Sequence, residues 1–201
     1  MANQIATNRD GNITPVIGDK NTNALLTIDI DHYLVHKNKL FSAYHENVSV
    51  AGATFQFSFK TPPIENGLIH YRSAGIQPNK DNVRTQIYES AVINVAGTLV
   101  EFDSNNRYLD GDVPVGLELR AGTTFSNNGV LLPGFSNYLP GSEGNGQART
   151  PSAGNPAVDE IILKPNTVYR FININGSTEI NTIASKFRFY VSQSMFEGED
   201  D

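Results

Sequence analysis

Two histidines near the start of the chain have a spacing that could bind a metal ion. His32 and His36 are four residues apart, and Asp29 and Asp31 come just before them. On a helix, this spacing would place both imidazoles on one face, where they could bind zinc. No helical period covers the segment, and in an extended strand the two side chains would be about 13 Å apart. We therefore predict no metal site.

Four carboxylates are candidates for general acid–base chemistry, because Glu89, Glu101, Asp103 and Glu118 lie on or beside predicted strands. Hydrolysis of a glycosidic bond needs two carboxyl groups about 5 to 10 Å apart in a cleft. Nothing in the sequence brings two of the four together, and acidic side chains are usually solvated. We predict that none of them is catalytic.

Three glycine-containing motifs are similar to known sites but lack a necessary part. Residues 110–112 (DGD) could begin a calcium loop, yet VPV follows where oxygen ligands are needed. Residues 134–138 lack the second glycine of a nucleophile elbow. The glycine-rich residues 141–146 precede no helix whose N-terminus could bind phosphate. The sequence thus predicts a protein that is not an enzyme and has no cofactor.

The elements that carry these residues are short β-strands. Residues 53–60 (ATFQFSFK) place three phenylalanines on one face and polar side chains on the other, which is the period of a strand. Strands are predicted at residues 25–30, 40–45, 53–60, 68–73, 83–88, 98–102, 115–119, 160–163, 167–174 and 183–191. Their number and the turns between them predict an all-β domain over residues 24–192, a sandwich or a barrel.

Prolines and asparagines mark the turns between these strands. Pro62 and Pro63 end the phenylalanine strand because proline has no amide hydrogen for a sheet, and residues 164–166 (KPN) separate two late strands. Asn175 and Gly176 are typical of a β-hairpin turn. Residues 33–41 are predicted to be a loop or one short helical turn.

Residues 1–23 are predicted to form an extended N-terminal arm outside the domain. The segment is polar, and its isolated apolar residues have no sustained period, so it cannot build a core by itself. We expect it to lie along a partner, with four side chains that enter the partner's grooves: Ile5, Ile13, Val16 and Ile17. Residues 193–201 form an acidic C-terminal tail.

A long loop rich in Gly, Asn and Pro is predicted over residues 120–157. A connection of this length in a compact domain is usually functional or disordered. Because it also contains large apolar residues, we interpret it as an ordered surface segment that covers a neighbouring molecule. The residues expected to contact that partner are Phe125, Leu131, Leu132, Phe135, Tyr138 and Leu139.

Charge and composition argue against nucleic acid and membranes as partners. The 201 residues carry a net charge of −6, whereas binding to nucleic acid needs a clustered excess of Lys and Arg. We expect no membrane association, because no apolar run reaches the length of about 20 residues that spans a bilayer. The chain has no cysteine, so neither disulfides nor thiolates contribute to stability or chemistry.

The order of several short motifs resembles that of small virion proteins of tailed bacteriophages. The motifs are HKNKLFSA at residues 36–43, FKTP at 59–62, IYES at 87–90, NNR at 105–107 and EIILKPNTVY at 160–169. Within that group the chain resembles capsid decoration proteins, also called cement or auxiliary head proteins. The resemblance covers about residues 30 to 190.

The resemblance implies a jelly-roll-like β-sandwich without catalytic activity. We also expect a homo-oligomer, and the absence of cysteine fits a protein made in the reducing cytoplasm of the host. The resemblance further implies attachment to the outer surface of the virion. Its partner there would be the major capsid protein, whose neighbouring subunits it bridges and so stabilises.

Two other classes of protein stay open as alternatives. A phage fibre or receptor-binding protein would use the same fold and bind host saccharides through exposed tyrosines. The candidates for such stacking are Tyr33, Tyr44, Tyr71, Tyr108 and Tyr138. A polysaccharide-cleaving enzyme would need the convergent carboxylate pair considered above.

Overall fold

The computed structural model describes residues 4–7, 13–16, 34–72, 76–78, 82–108, 112–135, 137–139 and 160–192. The strands are β1 (Gln4–Thr7), β2 (Ile13–Val16), β3 (Leu40–Ser49), β4 (Thr54–Lys60), β5 (Leu68–Arg72), β6 (Ile76–Pro78), β7 (Val83–Glu89), β8 (Val92–Val95), β9 (Thr98–Val100), β10 (Asp103–Ser104), β11 (Glu118–Ala121), β12 (Thr124–Asn127), β13 (Val130–Leu131), β14 (Asn137–Leu139), β15 (Glu160–Leu163), β16 (Val168–Asn175) and β17 (Asn181–Ser192). Short 3-10 helices occupy Ile64–Asn66 and Pro133–Phe135.

Two large antiparallel sheets contain most of the strands. The first sheet has the order β10-β3-β17-β5-β15, and β6 also pairs with β17. The second has the order β13-β7-β16-β4-β11-β9, and β14 also pairs with β7. Two further pairs, β1 with β2 and β8 with β12, form separate two-stranded sheets. The predicted all-β fold is thereby confirmed.

Eight strands form a nested set of antiparallel pairs. β3 pairs with β17, β4 with β16, β5 with β15 and β7 with β14, so each pair encloses the next along the chain. Successive pairs alternate between the two sheets. Each central sheet is therefore assembled from strands that are far apart in the sequence.

Aromatic side chains from both sheets form the core between them. The alternating strand at residues 53–60 is β4, and its Phe57 and Phe59 are fully buried. The ring of Phe57 lies 5.0 Å from that of Phe187, and the ring of Phe59 lies 5.7 Å from that of Phe189, both on β17 of the opposite sheet. Because the two sheets face each other across these rings, the fold is a β-sandwich.

The interior becomes polar toward the end of the sandwich where β3 and β16 end. Asn175 is fully buried, and its Nδ2 donates to the carbonyl oxygens of Ser49, Val50 and Glu179 at 2.9 to 3.0 Å. Asn47 is also buried, but within the described part of the chain nothing forms a hydrogen bond with its side-chain amide. One asparagine therefore bonds to three carbonyls, and the other contributes a buried amide that has no hydrogen-bond partner among the described residues.

Two local predictions differ from the structure, and a third falls outside the described residues. Asn175 and Gly176 do not form a hairpin turn, because β16 and β17 lie in opposite sheets and the chain crosses between them. The strand expected at residues 115–119 begins only at Glu118, because the Leu117 N–H donates to the Pro114 carbonyl in a turn in which Gly116 has φ 91°. The strand expected at residues 25–30 lies outside the described residues.

The N-terminal segment contains two strands instead of one continuous extended segment. β1 and β2 pair with each other in the register Gln4↔Val16 to Thr7↔Ile13. In the described part of the chain, neither strand pairs with a strand of the two large sheets. The tail at residues 193–201 lies outside the described residues.

Candidate functional site

The segment predicted as a long loop is mostly sheet in its first part. Residues 124–127 form β12, residues 130–131 form β13 and residues 137–139 form β14, while residues 140–159 lie outside the described part. The sequence did not indicate these strands because they are short, and because the pairing of β12 with β8 shifts register twice. The expectation of an uninterrupted loop over residues 120–157 was wrong for this part.

The apolar residues of this segment have different surroundings. Leu132 and Phe135 pack against the core of the chain itself, and the Leu132 N–H donates to the Ile87 carbonyl at 2.9 Å. Phe125 is half-buried, with the Arg170 guanidinium 5.3 Å from its ring centre. These three side chains therefore already have contacts within the domain, which lowers the area that they could offer to a partner. Tyr138 lies on β14, where its backbone pairs with Arg84.

A group of exposed aliphatic side chains lies beside them, on β8 and β13. We call it the ribbon patch, and it consists of Val92, Val95, Val130 and Leu131. Val130 is 67% exposed and Val95 is 58% exposed. Pairing of Val92 with Asn127, and of Val130 with Glu89, brings the strands of the patch together. The predicted partner residue Leu131 belongs to it, whereas Leu139 lies on β14.

Gly129 lies in the turn between β12 and β13, at a position where a larger residue would not fit. It has φ 77°, and a Cβ at this position would lie 2.2 Å from the Glu89 carbonyl oxygen and 2.8 Å from the Ala91 nitrogen. Only glycine permits such a close approach. The turn between β12 and β13 thus lies directly against the turn between β7 and β8.

The predicted arm residues are partly described. Ile5 lies on β1 opposite Pro15, Ile13 and Val16 lie on β2, and Ile17 lies outside the described residues. Of the candidate tyrosines, Tyr108 is 92% exposed and Tyr44 is exposed, whereas Tyr71 is buried in the core. Tyr33 lies outside the described residues.

Two of the candidate carboxylates, Glu89 and Glu118, are too far apart to act as a catalytic pair. Glu89 and Glu118 lie on β7 and β11, which two strands separate, so their backbones are about 14 Å apart. Glu89 accepts hydrogen bonds from the Lys164 ammonium at 2.6 Å and from the Tyr169 hydroxyl at 3.0 Å. Burial is the main reason why the pKa of Tyr169 is raised. Glu118 bonds to Arg120 at 2.9 Å.

The other two acids lie on the surface. Asp103 accepts a hydrogen bond from exposed Arg107 at 2.9 Å, and Glu101 is exposed. Within the described ranges, no three His, Asp or Glu residues are grouped so that they could hold a metal ion. His32 lies outside these ranges, and His36 is exposed. No helix among the described residues is long and apolar enough to span a membrane.

A serine, a histidine and a glutamate form a connected array on the outer face of the first sheet. His70 Nε2 lies 2.8 Å from Ser192 Oγ, and His70 Nδ1 lies 3.0 Å from Glu160 Oε1. The residue exposure is only 6% for His70 and 8% for Ser192. This is the connectivity by which a histidine can accept the proton of a serine hydroxyl.

Strand alternation and register place the three side chains together. Ile69 and Tyr71 of β5 point into the core, so His70 between them points to the outer face. Tyr190 of β17 pairs directly with His70, and Ser192 is two residues further on the same face. Glu160 of β15 pairs with Arg72, next to His70 on its other side. The array thus spans three adjacent strands.

Two further groups hold the glutamate. The Tyr190 hydroxyl donates to Glu160 Oε1 at 2.7 Å, and Arg72 Nε forms an ion pair with Glu160 Oε2 at 3.4 Å. The Tyr190 ring stacks on the His70 imidazole with 4.3 Å between centres. Burial and the hydrogen bond to Glu160 raise the pKa of Tyr190. The tyrosine therefore stays a hydrogen-bond donor to the carboxylate.

Comparison with models of protein families, with curated protein sequences and with solved structures gives no match. The sequence alone did not reveal the array, because its histidine and serine are 122 residues apart and belong to no local motif. The one available signal was the alternation of polar residues, His70 and Arg72 on one strand and Arg188, Tyr190 and Ser192 on the other. That pattern indicates an outer face but not which side chains meet on it.

Proposed function

We propose that this protein is a non-enzymatic virion structural protein. In this proposal it decorates the outer surface of a phage capsid and bridges neighbouring major capsid subunits. The observation that carries the proposal is the ribbon patch, a group of exposed aliphatic side chains on paired strands. Groups of exposed apolar side chains commonly mark surfaces that contact another protein.

The strand topology supports the jelly-roll part of the proposal. Four nested antiparallel pairs, β3–β17, β4–β16, β5–β15 and β7–β14, alternate between two facing sheets. A jelly roll is a two-sheet fold of eight strands, and viral capsid proteins are among the proteins that use it. The fold alone does not define a function, so the proposal rests on the surface and not on this topology.

The energetics favour repeated weak contacts. Burying one aliphatic side chain is worth about 1.5 to 3 kcal/mol, from which the cost of ordering the contacting groups is subtracted. One patch therefore binds weakly. On a shell that repeats the same site many times, an oligomer that engages several sites binds far more tightly than one copy.

A charge placed in the ribbon patch tests the proposal. We expect Val130→Asp to weaken binding of the chain to virions stripped of it by at least about tenfold, because the carboxylate must be desolvated in the interface. Val115→Asp is the matched control, since Val115 is 79% exposed and lies in the turn before β11. Both variants should unfold at nearly the temperature of the unaltered chain.

Two results would count against the proposal. Equal binding by the unaltered chain, the Val130 variant and the Val115 variant would show that the ribbon patch contacts no capsid subunit. Failure of the unaltered chain to bind stripped virions at all would exclude the decoration role itself.

A further inference from the structure

We propose that Ser192 is a nucleophile activated by His70 and Glu160, and that it accepts small acyl groups from activated esters. The array lies on the outer face of the first sheet, whereas the ribbon patch lies on β8 and on β13, an edge strand of the second sheet. The inference therefore goes beyond the proposed function and does not depend on it.

The hydrogen-bond directions follow from the chemistry of the partners. A carboxylate only accepts hydrogen bonds, so His70 Nδ1 carries the hydrogen that it donates to Glu160. The neutral imidazole then has its lone pair on Nε2, and the Ser192 hydroxyl donates to it across 2.8 Å. The serine proton already points at the base that would remove it.

The surroundings favour the charge that this step creates. Proton transfer to Nε2 turns His70 into an imidazolium, and Glu160 lies 3.0 Å from its Nδ1. Tyr190 and Arg72 both hold Glu160, so the carboxylate is oriented before the reaction. The stacked Tyr190 ring fixes the plane of the imidazole.

The size of the acyl group is limited by burial. Ser192 and His70 are both more than nine-tenths buried, so a bulky acyl chain does not fit beside them without movement of neighbouring side chains. Close packing also holds the backbone, because a Cβ on Gly67 would meet Val191 Cγ1 at 2.6 Å and the Ser192 carbonyl oxygen at 3.0 Å. An acetyl group is the smallest suitable probe.

The step is balanced with p-nitrophenyl acetate as the acyl donor. Ser192 Oγ forms a bond to the acetyl carbon while its proton moves to His70 Nε2. The bond between the acetyl carbon and the phenolic oxygen breaks, and p-nitrophenolate leaves with that electron pair. His70 then returns its proton to the phenolate or to water, which leaves an acetyl ester on Ser192.

The test is acetylation of the full chain with p-nitrophenyl acetate, followed by release of p-nitrophenol and by peptide mass spectrometry. We expect one acetyl group on Ser192 of the unaltered chain. Ser192→Ala should abolish this acetylation, and His70→Gln should slow it about 10²-fold, the usual contribution of a general base. Glu160→Gln should slow it as well.

Ser42→Ala is the matched control. Ser42 lies on β3 of the same sheet, and its hydroxyl donates to the Asn105 amide oxygen instead of a base. This variant should react at the rate of the unaltered chain. Mapping the acetyl group in the unaltered chain needs no variant, so the test survives if a substitution impairs folding.

Acetyl groups found only on lysines or on the N-terminus, with Ser192 unmodified, would overturn the inference. Equal acetylation of Ser192 in the unaltered chain and in a folded His70→Gln variant would also overturn it. Neither result bears on capsid decoration, which is measured by binding to virions.

Discussion

Phe57 of β4 and Phe187 of β17 meet edge to face across the sandwich, with 5.0 Å between ring centres and 66° between ring planes. Phe57 is fully buried, and the rings of Phe55 and His45 also lie within about 5.5 Å of it. This pair joins the two sheets at the centre of the core.

Truncation of Phe57 should therefore destabilise the protein severely. Phe57→Ala should lower the free energy of unfolding by about 3 to 5 kcal/mol, because it removes buried area and leaves a cavity. Urea-induced unfolding measures the effect. Thr54→Ala on the same strand, where Thr54 is exposed, should change the free energy by less than about 0.5 kcal/mol. Equal effects of the two changes would mean that the core face of β4 is misassigned.

The two buried asparagines should respond in opposite ways to the same substitution. Asn175→Leu removes the hydrogen bonds from Nδ2 to three backbone carbonyls and the bond from the Ser177 N–H to Oδ1, so we expect a loss of about 2 to 4 kcal/mol. Asn47→Leu removes a buried amide that has no hydrogen-bond partner in the described part of the chain. The free energy of unfolding of the Asn47→Leu variant should therefore equal or exceed that of the unaltered chain. A large loss for Asn47→Leu, measured by the same unfolding curves, would show that its amide is satisfied in solution.

Stability should fall in mildly acidic solution because of His45. Its ring stacks on Phe55, and desolvation lowers the pKa of His45 below the ordinary value of 6.5. The unfolded chain therefore takes up the proton at a higher pH than the folded chain does. The contribution of His45 to the free energy of unfolding is complete above about pH 6.5 and decreases as the pH falls toward the lowered pKa.

Melting temperatures between about pH 8 and pH 5 check this expectation. The melting temperature of the His45→Phe variant should fall less over this pH range, since a phenyl ring cannot be protonated. His36→Phe is the control, because His36 is exposed, and it should keep the full decrease. The same decrease in all three proteins would assign the pH dependence to other groups.

Deletion of residues 1–20 should separate stability from assembly. β1 and β2 pair with each other, and neither pairs with a large sheet in the described part of the chain. The melting temperature of the shortened chain should therefore be nearly unchanged, while its binding to stripped virions should weaken. A shortened chain that saturates virions at the same concentration as the full chain would exclude a role for the arm.

The sequence predicts well those elements that depend on local patterns. The alternation at residues 53–60 gives β4 and its buried face, and Pro62 and Pro63 mark its end. Both signals act over a few residues, so they do not depend on the rest of the fold. The late strands β16 and β17 are predicted for the same reason, within one or two residues of their ends.

Features that depend on distant pairing are not predictable from one sequence. The crossing after Asn175 has the composition of a hairpin turn, yet β16 and β17 pair with other strands because nested pairing places them in opposite sheets. The Ser192, His70 and Glu160 array needs the register of three strands at once. Local propensity contains neither kind of information.

The number of copies of this chain in a purified virion tests the decoration role most directly. A protein that occupies a repeated site on the capsid surface should be present on the order of hundreds of copies per particle, as measured by quantitative mass spectrometry against the major capsid protein. Density that fits the sandwich should then repeat across the outer shell in an electron cryomicroscopy map. A few tens of copies or fewer, confined to the tail or to one vertex, would contradict decoration and favour a fibre or receptor-binding protein.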